Sequence, residues 1–164
     1  LDKIVMRPGT DALLKKCYEK NIPVLIFSAS GIGINAIHKL LEKRWLYLPN
    51  IYIISNEIYW DQDGYMSGYS TPTIHSLNKI ESVIRDNPEY QVLQDILRPR
   101  PYAIVLWDSL GDAQMVEDRH DRTVLRIGFC NHKVTERLPY FQEVFDIIIT
   151  DDQGFDQLNT MLFT

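Results

Sequence analysis

Two carboxylates, Asp108 and Asp112, follow the apolar run Ile104-Val105-Leu106-Trp107, with Ser109, Leu110 and Gly111 between them. An apolar run that ends abruptly in acids is how a buried parallel strand delivers carboxylates to its carboxyl end. That is the edge where open α/β sheets bind ligands. Two acids on a tight loop can hold a hard divalent cation, usually Mg²⁺ with several of its waters. The same residues also suit a strand, a turn and a helix whose N-cap is Asp112. The segment alone leaves both readings open.

Two further loops carry groups that suit a phosphate. Phe27-Ser28-Ala29-Ser30-Gly31 places hydroxyls and backbone N–H groups ahead of a predicted helix, a ready anion site. A serine serving as that helix's N-cap explains the same residues. Gly31 and Gly33 resemble a fragment of a dinucleotide loop, but no third glycine follows at the required spacing. The second loop is Pro72-Thr73-Ile74-His75-Ser76-Leu77-Asn78-Lys79. The Lys79 ammonium is a point charge suited to a phosphate oxygen, or a solvated lysine opening a helix. His75 reads as a satisfied turn or core histidine rather than a base. Hydroxyl, ammonium and paired carboxylates form a metal-and-phosphate site if one edge gathers all three loops.

The elements needed to gather them are legible. Apolar runs at Val24–Phe27, Ile51–Ser55, Tyr102–Trp107, Val124–Phe129 and Asp146–Thr150 read as strands. Thr10 is a candidate N-cap for a helix that buries Leu13, Leu14 and Cys17 and closes at Asn21. Ile34, Ile37, Leu40 and Leu41 mark a second helix. Aromatic arms at Ile58–Trp60 and Tyr65–Tyr69 around Asp61-Gln62-Asp63-Gly64 predict a β-hairpin. Lys79 to Leu97 is expected to be helical in two pieces broken near Asn87-Pro88, followed by a stiff Arg98-Pro99-Arg100-Pro101 linker. Strand and helix alternate, so the predicted fold is α/β: a doubly wound, Rossmann-like, mostly parallel sheet with a small hairpin insert. Right-handed crossovers would put every strand-end loop on one edge. Asp151 and Asp152 read as caps of the last helix, and Cys17 and Cys130 as core residues.

The 164 residues fit one domain with a sizeable core. A net charge of -5, with no basic stripe, argues against a nucleic-acid partner. No apolar run reaches the roughly 18 residues of a membrane span, and no signal peptide is visible. Two scattered cysteines build neither a disulfide framework nor a zinc site, so a reducing, cytoplasmic setting is expected. The chain opens at Leu1-Asp2-Lys3, as a processed product or a piece of a longer protein would.

Phe27-Ser28-Ala29, His75-x-x-Asn78-Lys79 and Asp108-Ser109-Leu110-Gly111-Asp112 occur in an order that resembles the haloacid-dehalogenase superfamily of phosphohydrolases. More narrowly, the chain is similar to the cytosolic pyrimidine 5′-nucleotidase family, also called cytosolic 5′-nucleotidase III. The resemblance runs from about Met6 to Leu162, with support from Ile22–Ala29, Pro49–Ile51 through Asn56, the hairpin, and Arg126–Phe129 onward. It implies Mg²⁺-dependent hydrolysis of nucleoside 5′-monophosphates through an aspartyl-phosphate. A second aspartate, two residues after the nucleophile, then protonates the leaving oxygen and activates water. Carried over residue by residue, Ser28 and the Ala29 amide would bind phosphate. Lys79 would neutralise it and orient the nucleophile, and Asp108 would ligate Mg²⁺. Asp112 would bind the metal's waters or anchor Lys79.

The departures from that pattern are informative. The family's first motif, Asp-x-Asp-x-Thr after the first strand, is absent, and Asp61-Gln62-Asp63 is rejected as its stand-in because it sits in a hairpin turn. Most of the helical cap would also precede Met6. Residues 1–164 are therefore expected to form an incomplete haloacid-dehalogenase-like core domain, inactive alone. It should be partnered by the missing N-terminal segment or by itself, because loss of a central strand exposes sheet edges. Ser30 is inserted after Ala29, and Trp107 replaces a glycine, which requires a neighbouring void. The alternative is a non-catalytic binding or assembly domain. A phospho-acceptor domain of the response-regulator type fits the motif order and hairpin poorly.

Overall fold

The computed structural model describes residues 4–75, 78–110, 116 and 120–163. Two compact units emerge, one formed by Leu1–His75 with Gly154–Thr164 and the other by Ser76–Gln153.

In the first unit, helix α1 (Thr10–Glu19) buries Leu13, Leu14 and Cys17, as the helical spacing predicts. Thr10 is not its cap. Gly9 takes the N-cap position at φ 77°, a left-handed conformation that glycine adopts cheaply. The chain therefore enters the helix at Thr10, whose hydroxyl donates back to the Arg7 carbonyl at 2.5 Å. Asn21 closes the helix at φ 53°, with the Ile22 N–H donating to the Cys17 carbonyl at 2.8 Å. Strand β1 (Val24–Ser28) runs parallel to β2 (Ile51–Ser55) in a register from Val24↔Ile51 to Ser28↔Ser55. Helix α2 (Gly33–Lys43) connects them, and Leu14, Leu41, Leu46 and Ile51 form the buried core.

The hairpin follows as β3 (Ile58–Trp60) and β4 (Met66–Tyr69), antiparallel with an irregularity at Tyr59/Trp60. Asp61 holds its turn, Oδ1 accepting from the Asp63 and Tyr65 N–H groups at 3.0 and 2.8 Å. This exposed carboxylate is thus committed to local backbone. The last helix of the chain, α6 (Asp156–Phe163), returns to this unit. The Phe155 N–H donates to the Pro8 carbonyl at 2.7 Å, and Asn159 Nδ2 donates to the Gly9 carbonyl at 3.0 Å.

The second unit opens with α3 (Ser82–Arg85), a 3₁₀ turn at Pro88–Tyr90 and α4 (Gln91–Leu97), so the helical stretch is broken at Asn87-Pro88 as predicted. Asn87 Oδ1 accepts from the Glu89 N–H at 2.9 Å and starts the new turn. Strands β5 (Tyr102–Trp107), β6 (Thr123–Cys130) and β7 (Ile147–Thr150) form a parallel sheet in that order, with α5 (Val134–Gln142) between the last two in sequence. Val105, Trp107, Cys130, Phe141 and Phe145 form the core on one face. The void required by Trp107 is built from within this unit. Gly128 lies beside Trp107 in register, and its missing side chain admits the Phe145 ring against which the indole packs. Asp151 and Asp152 do not cap α6. Both are left-handed (φ 59° and 54°) in the turn leaving β7, and Asp151 Oδ2 accepts from the Thr150 hydroxyl at 2.9 Å.

Candidate active site

β1 delivers Ser28 and Ala29 to its carboxyl end, just where pairing with β2 stops at Ser55. The serines build the loop rather than capping α2. Ser28 Oγ accepts from the Ser30 N–H at 3.2 Å, and Ser30 Oγ accepts from the Ile32 N–H at 3.3 Å. Ile32 occupies the N-cap position without a side-chain cap. A hydroxyl that accepts an N–H still has its own proton to donate, so Ser28 keeps the chemistry that an oxyanion needs. Gly33 is required at φ 76°: a Cβ there would stand 2.9 Å from Ile58 Cγ1 and 3.2 Å from the Asn56 carbonyl oxygen. The Tyr69 hydroxyl, from the hairpin, donates to the Gly31 carbonyl at 3.1 Å.

The second unit carries the cation and the acid. Lys79 is half-buried in the segment ahead of α3, and His75, at the end of the first unit, is exposed. Two residues beyond Lys79, Glu81 pairs with Arg122 at 2.6 Å, their side chains only 16% and 9% exposed. Arg122 immediately precedes β6, whose first residue faces Tyr102, so this pair lies toward the amino ends of the strands. Asp108 follows the opposite, carboxyl end of β5 and is exposed. Asp112 lies outside the described residues. The structure thus brings Ser28 and Ala29 together on one loop and places Lys79 and Asp108 within the other unit.

Among the described residues, no three His, Cys, Asp or Glu side chains cluster as a metal cage. Asp108 offers a hard carboxylate at the carboxyl end of β5. That suits Mg²⁺, which keeps several waters and takes one or two carboxylates plus phosphate oxygens. Burial pushes the Cys17 thiol up, and burial followed by the neighbouring Glu89 charge pushes the Tyr90 phenol up.

Sequence reasoning passed over two features. One is the Glu81–Arg122 pair, 41 residues apart in the chain. The other is Asn56, 3% exposed and bonded on both sides of its amide. A polar residue directly after an apolar strand was the available signal for the second.

Residues 2–164 match the family model described as pyrimidine 5′-nucleotidase (UMPH-1). The chain belongs to this nucleotidase family. It is 33% identical over 159 residues to the mouse (Mus musculus) 7-methylguanosine phosphate-specific 5′-nucleotidase, covering 96% of the chain and 51% of the relative. The Drosophila melanogaster protein of the same name is 32% identical over 158 residues, with 96% and 48% covered. Among solved structures, cytosolic 5′-nucleotidase IIIB bound to cytidine superposes with a TM-score of 0.80 at 31% identity, over 95% of the chain and 51% of that structure. The Rossmann-like α/β fold read from the sequence is the fold of this match. The chain spans about half the length of the curated relatives it matches.

Proposed function

We propose that residues 1–164 are the part of an Mg²⁺-dependent 5′-nucleotidase that binds the phosphate and supplies a metal ligand. The observation that carries this reading is the family match over residues 2–164 together with chemically apt residues at strand carboxyl ends, Ser28-Ala29 after β1 and Asp108 after β5. In this reading the Ser28 hydroxyl and Ala29 amide donate to phosphoryl oxygens. The Lys79 ammonium offsets their charge and orients the nucleophile. Asp108 holds the cation, and Asp112 binds its waters or anchors Lys79. Mg²⁺, when bound, offsets the negative charge that accumulates on the phosphoryl group. The substrate class is a nucleoside 5′-monophosphate, in keeping with the names of the matched relatives, and the setting is cytoplasmic.

In this reading the nucleophilic aspartate comes from polypeptide outside these residues, because the Asp-x-Asp present, Asp61-Gln62-Asp63, sits in the turn of the β3–β4 hairpin with Asp61 bonded to local N–H groups. Among the described residues, β1 and β5 each pair with a strand on one side only. Their other edges offer N–H and C=O groups to such a segment, or to a second copy. The missing first motif also favours a second reading, a non-catalytic domain that binds phosphate or assembles.

The test has three parts. The encoded sequence upstream of Leu1 should contain Asp-x-Asp-x-Thr after an apolar run. The polypeptide carrying that segment should release phosphate from CMP, UMP or 7-methyl-GMP only with Mg²⁺, and Asp108→Asn should lower kcat at least about 100-fold. The 164 residues alone should be inactive. Turnover by them alone would overturn the assignment of the nucleophile, and an inactive longer form would favour the binding reading.

A further inference from the structure

We infer that Asn56 is a positioning residue: it ties the start of α2 to the Ile74 segment and so holds the Ser28–Gly33 loop in its anion-binding form. The inference rests on the phosphate-binding role proposed for that loop.

Asn56 follows the last residue of β2, where ladder pairing with β1 has ended at Ser28↔Ser55. Pairing with β1 therefore does not orient the next peptide. Three other elements do. The Asn56 side chain clasps the backbone of Ile74 from both sides, Nδ2 donating to the Ile74 carbonyl at 2.9 Å and Oδ1 accepting from the Ile74 N–H at 2.7 Å. The Asn56 carbonyl accepts from the Ile34 N–H at 2.8 Å, in the first turn of α2. The N–H of the same peptide, that of Glu57, donates to the Ser70 hydroxyl oxygen at 3.0 Å.

One peptide and one amide side chain thus join β2, α2, the end of the hairpin and the segment that leads on to His75 and Lys79. The junction is dry, with Asn56 3% and Ile74 7% exposed, so a bond lost here is not replaced by water. It also sits against the loop in question. Gly33 packs so closely on the Asn56 carbonyl and Ile58 that no side chain fits between them. Releasing the Ile74 clasp would let the Asn56 peptide rotate. The Ile34 N–H would lose its acceptor, and the residues just before it would lose their fixed exit into α2.

Amide hydrogen exchange and a titration with inorganic phosphate, both read residue by residue by NMR on the 164-residue chain, test this. In Asn56→Ala, exchange at Ile74 should rise by about 10- to 100-fold. Exchange at Ile34 and Gly33 should rise with it, although their acceptors, the Asn56 and Ser30 carbonyls, remain in place. Phosphate-induced shifts at Ser28 and Ala29 should need at least about 10-fold more phosphate. Ser70→Ala, a milder change that leaves Asn56 and the core intact, should loosen the same amides to a smaller extent. Acceleration confined to Ile74 would overturn the inference. So would unchanged phosphate affinity in Asn56→Ala when the parent chain does bind through Ser28. If the parent chain shows no shift at Ser28 or Ala29, the phosphate reading itself fails, and the exchange pattern alone decides whether Asn56 couples the two segments.

Discussion

Gly128 carries the sharpest packing prediction. A methyl group on its Cα would stand 2.5 Å from Phe145 Cδ2, 2.6 Å from Cγ and 2.9 Å from Cε2. The Phe145 ring cannot swing aside. Its centroid lies 5.9 Å from that of Trp107 and 5.0 Å from that of Phe141, and these two residues are 4% and 0% exposed. Gly128→Ala must therefore displace a ring that is wedged between two others. Overpacking of this kind costs about 1–3 kcal/mol, while the entropy gained by replacing a strand glycine returns no more than about 1 kcal/mol. The net expectation is a loss of about 1–2 kcal/mol, read as a lower urea midpoint at unchanged slope. The melting point should fall by about 2–8 °C for a chain of this size. Phe145→Leu in the same background should recover part of the loss, because the smaller side chain vacates the space the methyl needs, giving a coupling of about 1 kcal/mol. Strictly additive effects, or a Gly128→Ala chain as stable as the parent, would refute the idea that Trp107 is seated by this glycine. The seat matters for function because Trp107 is the residue immediately before Asp108.

Two other expectations follow from polar groups. Arg122→Met removes a charge-assisted bond to the part-buried Glu81 carboxylate and should cost about 1.5–3 kcal/mol in urea unfolding, whereas Glu81→Gln with Arg122→Met should recover part of it. Burial favours the protonated Cys17 thiol, so the native state holds a proton that the unfolded state releases above about pH 8.5. Its contribution is complete below that pH and is lost as pH rises toward the folded value. The urea midpoint should therefore fall between pH 7.5 and pH 9.5, and Cys17→Ala should flatten that decline.

Much of the fold was legible because strand and helix periods differ. Val24–Phe27 and Tyr102–Trp107 are too short and too apolar to be amphipathic helices, and both are strands. The break at Asn87-Pro88 was legible because proline cannot continue a helix whose N–H it lacks. The helix starts were less so. Thr10 and Ser30 have cap-forming hydroxyls, but Gly9 and Ile32 take the cap positions. A hydroxyl bonds whichever backbone group the local turn presents, and that turn is set by glycine conformation and neighbouring strands.

The sequence by itself determined the family, the parallel strands and the chemical kinds of the candidate loops: a serine loop, a lysine segment and an acid loop. Those properties are local, written in residue type and spacing. Only the tertiary structure decided that Asn56 rather than a strand ladder holds the exit of β2, that Gly128 makes room for Trp107, and that Glu81 is paired with Arg122. Each joins residues 18 or more positions apart. A single unaligned chain carries no record of which distant groups share a dry space. Burial is what turns such a meeting into binding energy, because away from water an amide or a charge must find its partner in the protein.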